Sequence, residues 1–328
     1  MTPRTGDRVG GRSASSTEDR MAKTARAKGT APRSKTAPAA PSGESARIRR
    51  IAVVAALAAV VVIGLLFLRG RGASHDGAPD GFGHVHAVAV DPGSGSLHVA
   101  THVGLFRVEA VNRAVRVSED APDLMGFAVV GPGRFLASGH PGWHDDGPMH
   151  LGLVESTDGG VTWRTLSLAG AADFHGLRWA HERVYGYNST EGTFMVSTDR
   201  RTWQTRSRTA IASFAVDPAD PDVVLAVTPD GVHRSDDGGR TWQVVSGAPD
   251  LTLLAWEEPG QVWGVTRDGM VWRSADGGDT WQRRGSVDGR PHALTVHGSE
   301  IIVALAGDRI VASGDGAISF TTRYAPAS

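Results

Sequence analysis

The chain has 328 residues, enough for one large domain or two ordinary ones, and 40% of them are hydrophobic, so most of it can bury a core. It has no cysteine, which excludes disulfides and thiolate metal sites. The net charge of −1 hides an asymmetry: residues 1–50 carry twelve Lys/Arg against four Asp/Glu, so the remainder is acidic.

Residues 1–46 are rich in Ala, Ser, Thr, Pro, Gly, Lys and Arg and nearly free of large apolar side chains. Such a stretch cannot offset its ordering entropy by burial, so a disordered basic tail is expected. Its charges are scattered and lack aromatic partners, so no nucleic-acid partner is expected. Ile51–Leu68 is an uncharged apolar run of 18 residues, close to the roughly 20 that span a bilayer as a helix. Arg47, Arg49 and Arg50 precede it, and Arg69 and Arg71 follow. The larger positive charge lies upstream, which places the tail in the cytoplasm and the rest outside. A cleaved signal peptide is the competing reading. The long leader and the arginines just beyond the apolar run favour an uncleaved anchor over 47–71. A polar linker, 72–81, follows. The expectation is a single-pass protein of the cell membrane.

From Phe82 to about residue 325 the pattern is β-type alternation broken by turn dipeptides, with no helical period. A phrase recurs there: Ser156 to Trp163 (STDGGVTW), Ser235 to Trp242 (SDDGGRTW) and Ser274 to Trp281 (SADGGDTW). A worn copy runs from Ser197 to Trp203 and a fainter one from Ser313 to Phe320. Successive copies start 41, 38, 39 and 39 residues apart. Six first strands can be laid out on this period, starting at His86, Met125, His175, Ala212, Thr252 and His292. Four antiparallel strands per period of about 40 residues is the signature of a propeller. The expected fold is therefore all-β, a six-bladed β-propeller over 82–325 with whole blades meeting edge to edge.

Turn chemistry accounts for the repeated phrase. Ser and Asp side chains accept from nearby backbone N–H groups, Gly supplies positive φ, and the Trp can pack between blades. The structural positions are Ser156, Asp158, Gly160 and Trp163; Ser197, Asp199 and Trp203; Ser235, Asp237, Gly239 and Trp242; and Ser274, Asp276, Gly278 and Trp281. Each copy offers too few convergent oxygens for Ca²⁺. These copies resemble the Asp-box (BNR) repeat, Ser-x-Asp-x-Gly-x-x-Trp, of sialidases, sortilin-type propellers and photosystem-assembly propellers. The resemblance implies a structural role, away from the central site.

Antiparallel order puts the starts of first strands and the ends of second strands on one face of such a propeller, and the repeated hairpins on the other. His86, His175 and His292 share the start of a first strand, and His84, Asp123 and Asp173 stand two residues before such starts. His102 and His140 end second strands, and an inserted loop adds His144, Asp145, Asp146 and His150. Neutral imidazole with carboxylate suits Zn²⁺, Cu²⁺, Ni²⁺ or Fe²⁺. A lone His at a strand end is usually a satisfied structural group; the shared register points to a divalent transition metal held by some of His84, His86, His102, His140, His175 and His292, with His144, Asp145 and His150 in reserve. His75, His98, His181, His233 and His297 are expected at linker or surface positions.

The stretches around His84–His86, Ala100–Phe106, Met125–Phe127, Ser138–Pro141, Leu151–Leu153 and Asp173–His175 are similar to a group of exported bacterial propellers labelled glycosylhydrolase or exo-alpha-sialidase-like. That resemblance implies a glycosidase. A sialidase needs an arginine trio, a Tyr nucleophile paired with Glu, and an Asp acid/base. The chain has only Tyr185, Tyr187 and Tyr324, and no arginine trio in one register. Asp123 with Asp173 would be the carboxylate pair of another glycosidase. Three functions stay open: a metal-binding propeller, a glycoside hydrolase or lyase, and an interaction or assembly scaffold. The partners expected are the membrane, a glycan or another extracytoplasmic protein, on a monomeric chain.

Overall fold

The computed structural model describes residues 81–142 and 146–327. The expected tail (1–46), anchor (47–71) and most of the linker (72–81) lie outside the described residues, as do His144 and Asp145. Among the described residues no helix is long and apolar enough to cross a membrane.

The described chain folds as six four-stranded antiparallel sheets, each made of strands consecutive in sequence. This is an all-β six-bladed propeller. The first strands of the blades are Val85–Val90, Asp123–Gly131, Phe174–Ala180, Ser213–Val216, Leu251–Glu258 and Pro291–His297. Residues from all six line a central channel of about 600 Å³. The second strands are covered on both sides by neighbouring blades. Leu97–Thr101 and Val224–Thr228 are accordingly buried at every position, which explains their near-continuous apolar runs. The outermost strands face water, as Gln243–Val244 does.

The core lies between blades. Ala128, Leu136 and Leu153 of blade 2 pack with Phe174, Leu177 and Val184 of blade 3. Side chains also tie inner strands across the boundaries. Ser138 Oγ accepts the Phe174 N–H at 2.9 Å, and Ser213 Oγ accepts the Leu254 N–H at 3.1 Å. Where the circle closes, Phe82 is inserted between the first and last blades. Its ring meets Phe106 at 5.2 Å and Tyr324 at 4.7 Å, and its N–H donates to Asp308 at 3.0 Å.

The repeated phrase closes the hairpin between third and fourth strands as its turn chemistry requires. In blade 4, Ser235 Oγ accepts from the Gly239 N–H at 2.8 Å and donates to Asp237 at 2.8 Å. Asp237 then accepts the Thr241 N–H at 2.9 Å and its hydroxyl at 2.7 Å. Blades 2 and 5 repeat this network at Ser156/Asp158 and Ser274/Asp276. Glycine is demanded twice over at Gly239. Its φ is +85°, and a Cβ there would come within 2.3 Å of the Phe194 ring in the preceding blade. Trp242 packs against the same ring and donates to Ser207 of blade 3 at 2.9 Å. On this face Glu155, 2% exposed, accepts from Arg134 at 3.2 Å and from Arg200 of the next blade at 2.8 Å, and also pairs with Arg164.

Candidate metal centre

The opposite face carries the histidines, and strand pairing puts them there. His86 lies on the first strand of blade 1, and His102 follows the end of its second strand, Leu97–Thr101. Asp123 opens the first strand of blade 2 directly opposite His140, which ends the second strand. Asp173 immediately precedes the first strand of blade 3. Its carbonyl accepts the Ser189 N–H at 2.9 Å, and its own N–H donates to Asn188 Oδ1 at 3.1 Å, so its backbone is fixed at both ends.

Blades 1 and 2 build one cluster together. His102 Nδ1 is 2.9 Å from Asp123 Oδ1 and 3.2 Å from His86 Nε2, and His86 Nε2 is 3.8 Å from Asp123 Oδ1. A proton on His102 Nδ1 serves one of its two contacts well; a cation between the three atoms serves all of them. Tetrahedral zinc with bonds near 2.0–2.1 Å separates its ligand atoms by about 3.3 Å, which falls within this set of distances. Blades 2 and 3 build a second cluster from His140, His150 and Asp173, whose ligand atoms lie within 4.8 Å of one another.

A chain of contacts joins the two clusters. His140 Nδ1 is 3.3 Å from Asp123 Oδ2, and His140 Nε2 is 3.6 Å from Asp173 Oδ2. Asp173 Oδ2 in turn meets His175 Nε2 at 2.8 Å and accepts the Ser189 hydroxyl at 3.2 Å. Beside the first cluster, the His84 ring lies 4.3 Å from His292 and 4.8 Å from His86.

The electrostatics suit ligation. Burial, reinforced by the neighbouring His102 and His84, pushes the His86 imidazole down to about 3. Burial and His292 push His84 down to about 4. Both are neutral lone-pair donors at neutral pH. Burial opposes charge on Asp123, but hydrogen bonds from His102 and His140 outweigh it and hold the carboxyl at about 2. His140 is raised by its bond to Asp123. Among the described residues Asp173 Oδ1, His150 Nδ1 and His292 Nδ1 are buried without hydrogen-bond partners.

The histidines gathered by register thus divide. His86 and His102 join Asp123; His140 and His150 join Asp173; His175 caps Asp173; His84 and His292 face each other at the rim. Of the histidines expected at the surface, His98 is not there: it is 3% exposed, with its ring 4.9 Å from Phe135 and Nδ1 3.2 Å from the Ser96 carbonyl. His233 Nδ1 is satisfied by Thr228 at 3.0 Å. Sequence reading did not anticipate Asn188 and Ser189, which position Asp173; their only signal is their place at the end of the second strand of blade 3.

The glycosidase features are poorly matched here. His140 stands between Asp123 and Asp173, and both carboxyls are held below their ordinary value, whereas a general acid needs its value raised. The Tyr185 hydroxyl is buried and donates to the Pro221 carbonyl at 2.8 Å, and Tyr324 packs on Phe82. Tyr187 and Arg178 line the channel.

No protein-family model matches the chain, and no curated protein matches it. Solved structures do. The chain is similar to a GH74 xyloglucanase from Xanthomonas campestris, at 17% identity and TM-score 0.51, over 75% of this chain and 46% of that one. It therefore spans about half of that enzyme. A chain of a nidogen/laminin complex matches at 12% identity and TM-score 0.55, over 70% of this chain and 93% of that one. The WD40 propeller domain of Doa1 matches at 14% identity and TM-score 0.52, over 75% and 84%. These likenesses establish the propeller fold and nothing finer.

Proposed function

We propose that the protein is a membrane-tethered, extracytoplasmic Asp-box propeller that binds a divalent transition metal at the mouth shared by its first blades. The observation that carries the reading is the convergence of His86 Nε2, His102 Nδ1 and Asp123 Oδ1 at 2.9–3.8 Å. Two neighbouring blades supply these atoms, so the site depends on the packing of blade 1 against blade 2. Imidazole with carboxylate selects Zn²⁺, Cu²⁺, Ni²⁺ or Fe²⁺ over the hard cations. His84 and His292 extend the nitrogen-rich rim. The apolar run 51–68, with its arginine flanks, supports the tether and the outward orientation of the propeller.

Zn²⁺ binding by the purified full chain tests the reading. Tight binding at the first cluster that is lost in the His86→Ala/His102→Ala double variant and kept in His233→Ala supports it. Absence of binding, or binding indifferent to the double variant, rejects it. A glycoside hydrolase at the same mouth is the second reading. The xyloglucanase shares its fold, but the depressed carboxyls of Asp123 and Asp173 weigh against it.

A further inference from the structure

We infer that the mouth is built for two metal ions rather than one, with the second held by His140, His150 and Asp173 and coupled to the first through the two oxygens of Asp123. This rests on the metal-binding reading above. Asp123 Oδ1 belongs to the His86/His102 cluster, while Asp123 Oδ2 lies 3.3 Å from His140 Nδ1. An ionised carboxylate only accepts, so that contact places a proton on Nδ1. With Nδ1 so held, Nε2 is the ring atom left to act as a ligand, and it lies 3.6 Å from Asp173 Oδ2. A cation held there would bind that nitrogen and the carboxylate together, with His150 within the same 4.8 Å group.

A carboxylate that holds one ring nitrogen while the other binds the ion is the usual outer-shell arrangement of a metal-ligating histidine, fixing its tautomer and orientation. Two residues of this group also carry an orphaned polar atom. Asp173 is 4% exposed, yet its Oδ1 has no partner among the described residues. His150 Nδ1 is likewise buried and unpartnered. His150 follows the loop inserted into blade 2 and brings a third ligand within 4.8 Å of the other two. His175 Nε2 and the Ser189 hydroxyl also hold Asp173 Oδ2, at 2.8 and 3.2 Å. Asp123 therefore serves as a ligand of the first ion and as the orienting group for a ligand of the second, so filling one site orders the other.

Equilibrium dialysis of the full chain, in detergent, against Zn²⁺ tests this by stoichiometry. The expected result is two Zn²⁺ per chain. His150→Ala and Asp173→Asn should each reduce it to one, and the His86→Ala/His102→Ala double variant should leave only the second ion. Because Asp173 is buried and its variant can misfold, His150→Ala is the deciding variant, with near-ultraviolet circular dichroism confirming an intact propeller. Asp123→Asn should weaken the second ion by about 10–100-fold, the usual loss when an outer-shell carboxylate is removed. One Zn²⁺ per chain, unaffected by His150→Ala, overturns the two-ion inference while leaving the one-ion reading standing. No Zn²⁺ at all overturns both. An unchanged second affinity in Asp123→Asn overturns the coupling.

Discussion

Asp123 and His102 meet at 2.9 Å across the boundary between the first two blades. Neither residue reaches the other unless the sheets of blades 1 and 2 pack side by side. The mouth is thus a property of packed blades, and the stability of that packing can be tested at the seam and at the hairpins of the far face.

Phe82 is the first such point. It is 1% exposed and wedged against Phe106 and Tyr324 where the last blade meets the first. Phe82→Ala leaves a cavity there and should cost about 3–5 kcal/mol by the usual large-to-small arithmetic. Denaturant melts give the loss, and hydrogen exchange should place the greatest gain in the strands of blades 1 and 6. Uniform loss across all six blades would contradict a local seam.

The glycine of the repeated hairpin carries a separate prediction. Gly239→Ala meets both the φ of +85° and the Phe194 ring at 2.3 Å, so it should destabilise by about 2–4 kcal/mol from backbone strain plus overpacking. Gly298 also has positive φ, +57°, but has nothing within 4 Å of its added Cβ. Gly298→Ala should therefore cost only the backbone share, about 1–2 kcal/mol. Equal losses at the two sites in urea melts would show that the neighbouring blade yields freely to the extra methyl.

Acid sensitivity follows from the same hairpins. Hydrogen bonds from Thr162, Thr241 and Thr280 hold Asp158, Asp237 and Asp276 at about 2, below the ordinary 3.8. A carboxyl depressed in the folded state binds fewer protons than in the unfolded chain. Its stabilisation is complete above the ordinary value and is lost as pH falls from about 4 toward 2. These groups are solvent-exposed, so each contribution is modest. The gap in Tm between the native chain and Asp158→Asn should narrow steadily from pH 6 to pH 2. A gap constant over that range would mean that the aspartate's charge does not matter.

Much of the fold was legible because the repeated phrase fixes register. Each expected first strand starts within two residues of an observed one, and the described histidines placed on the mouth by counting strands gather there, His144 lying outside the described residues. Register says which end of a strand a residue occupies, but not how adjacent blades are rotated or which rotamers face each other. That is why His84 and His292 could not be separated from the His86/His102 pair, and why the meeting of Asp123 with His102 and of Asp173 with His175 could not be assigned in advance. His98 was misplaced for a related reason. It lies on the second strand of its blade, whose two sides are both covered, so alternation carries no information about exposure there. Glu155 gave no signal at all, because the three arginines around it come from two separate strands of its own blade and a turn of the next.

The central claim is that the mouth holds a transition metal, and Zn²⁺ titration of the metal-stripped full chain tests it most directly. The expected result is saturable binding that disappears from the first cluster in His86→Ala/His102→Ala and persists unchanged in His233→Ala. A native chain that takes up no Zn²⁺, or a double variant that binds as the native chain does, would contradict it.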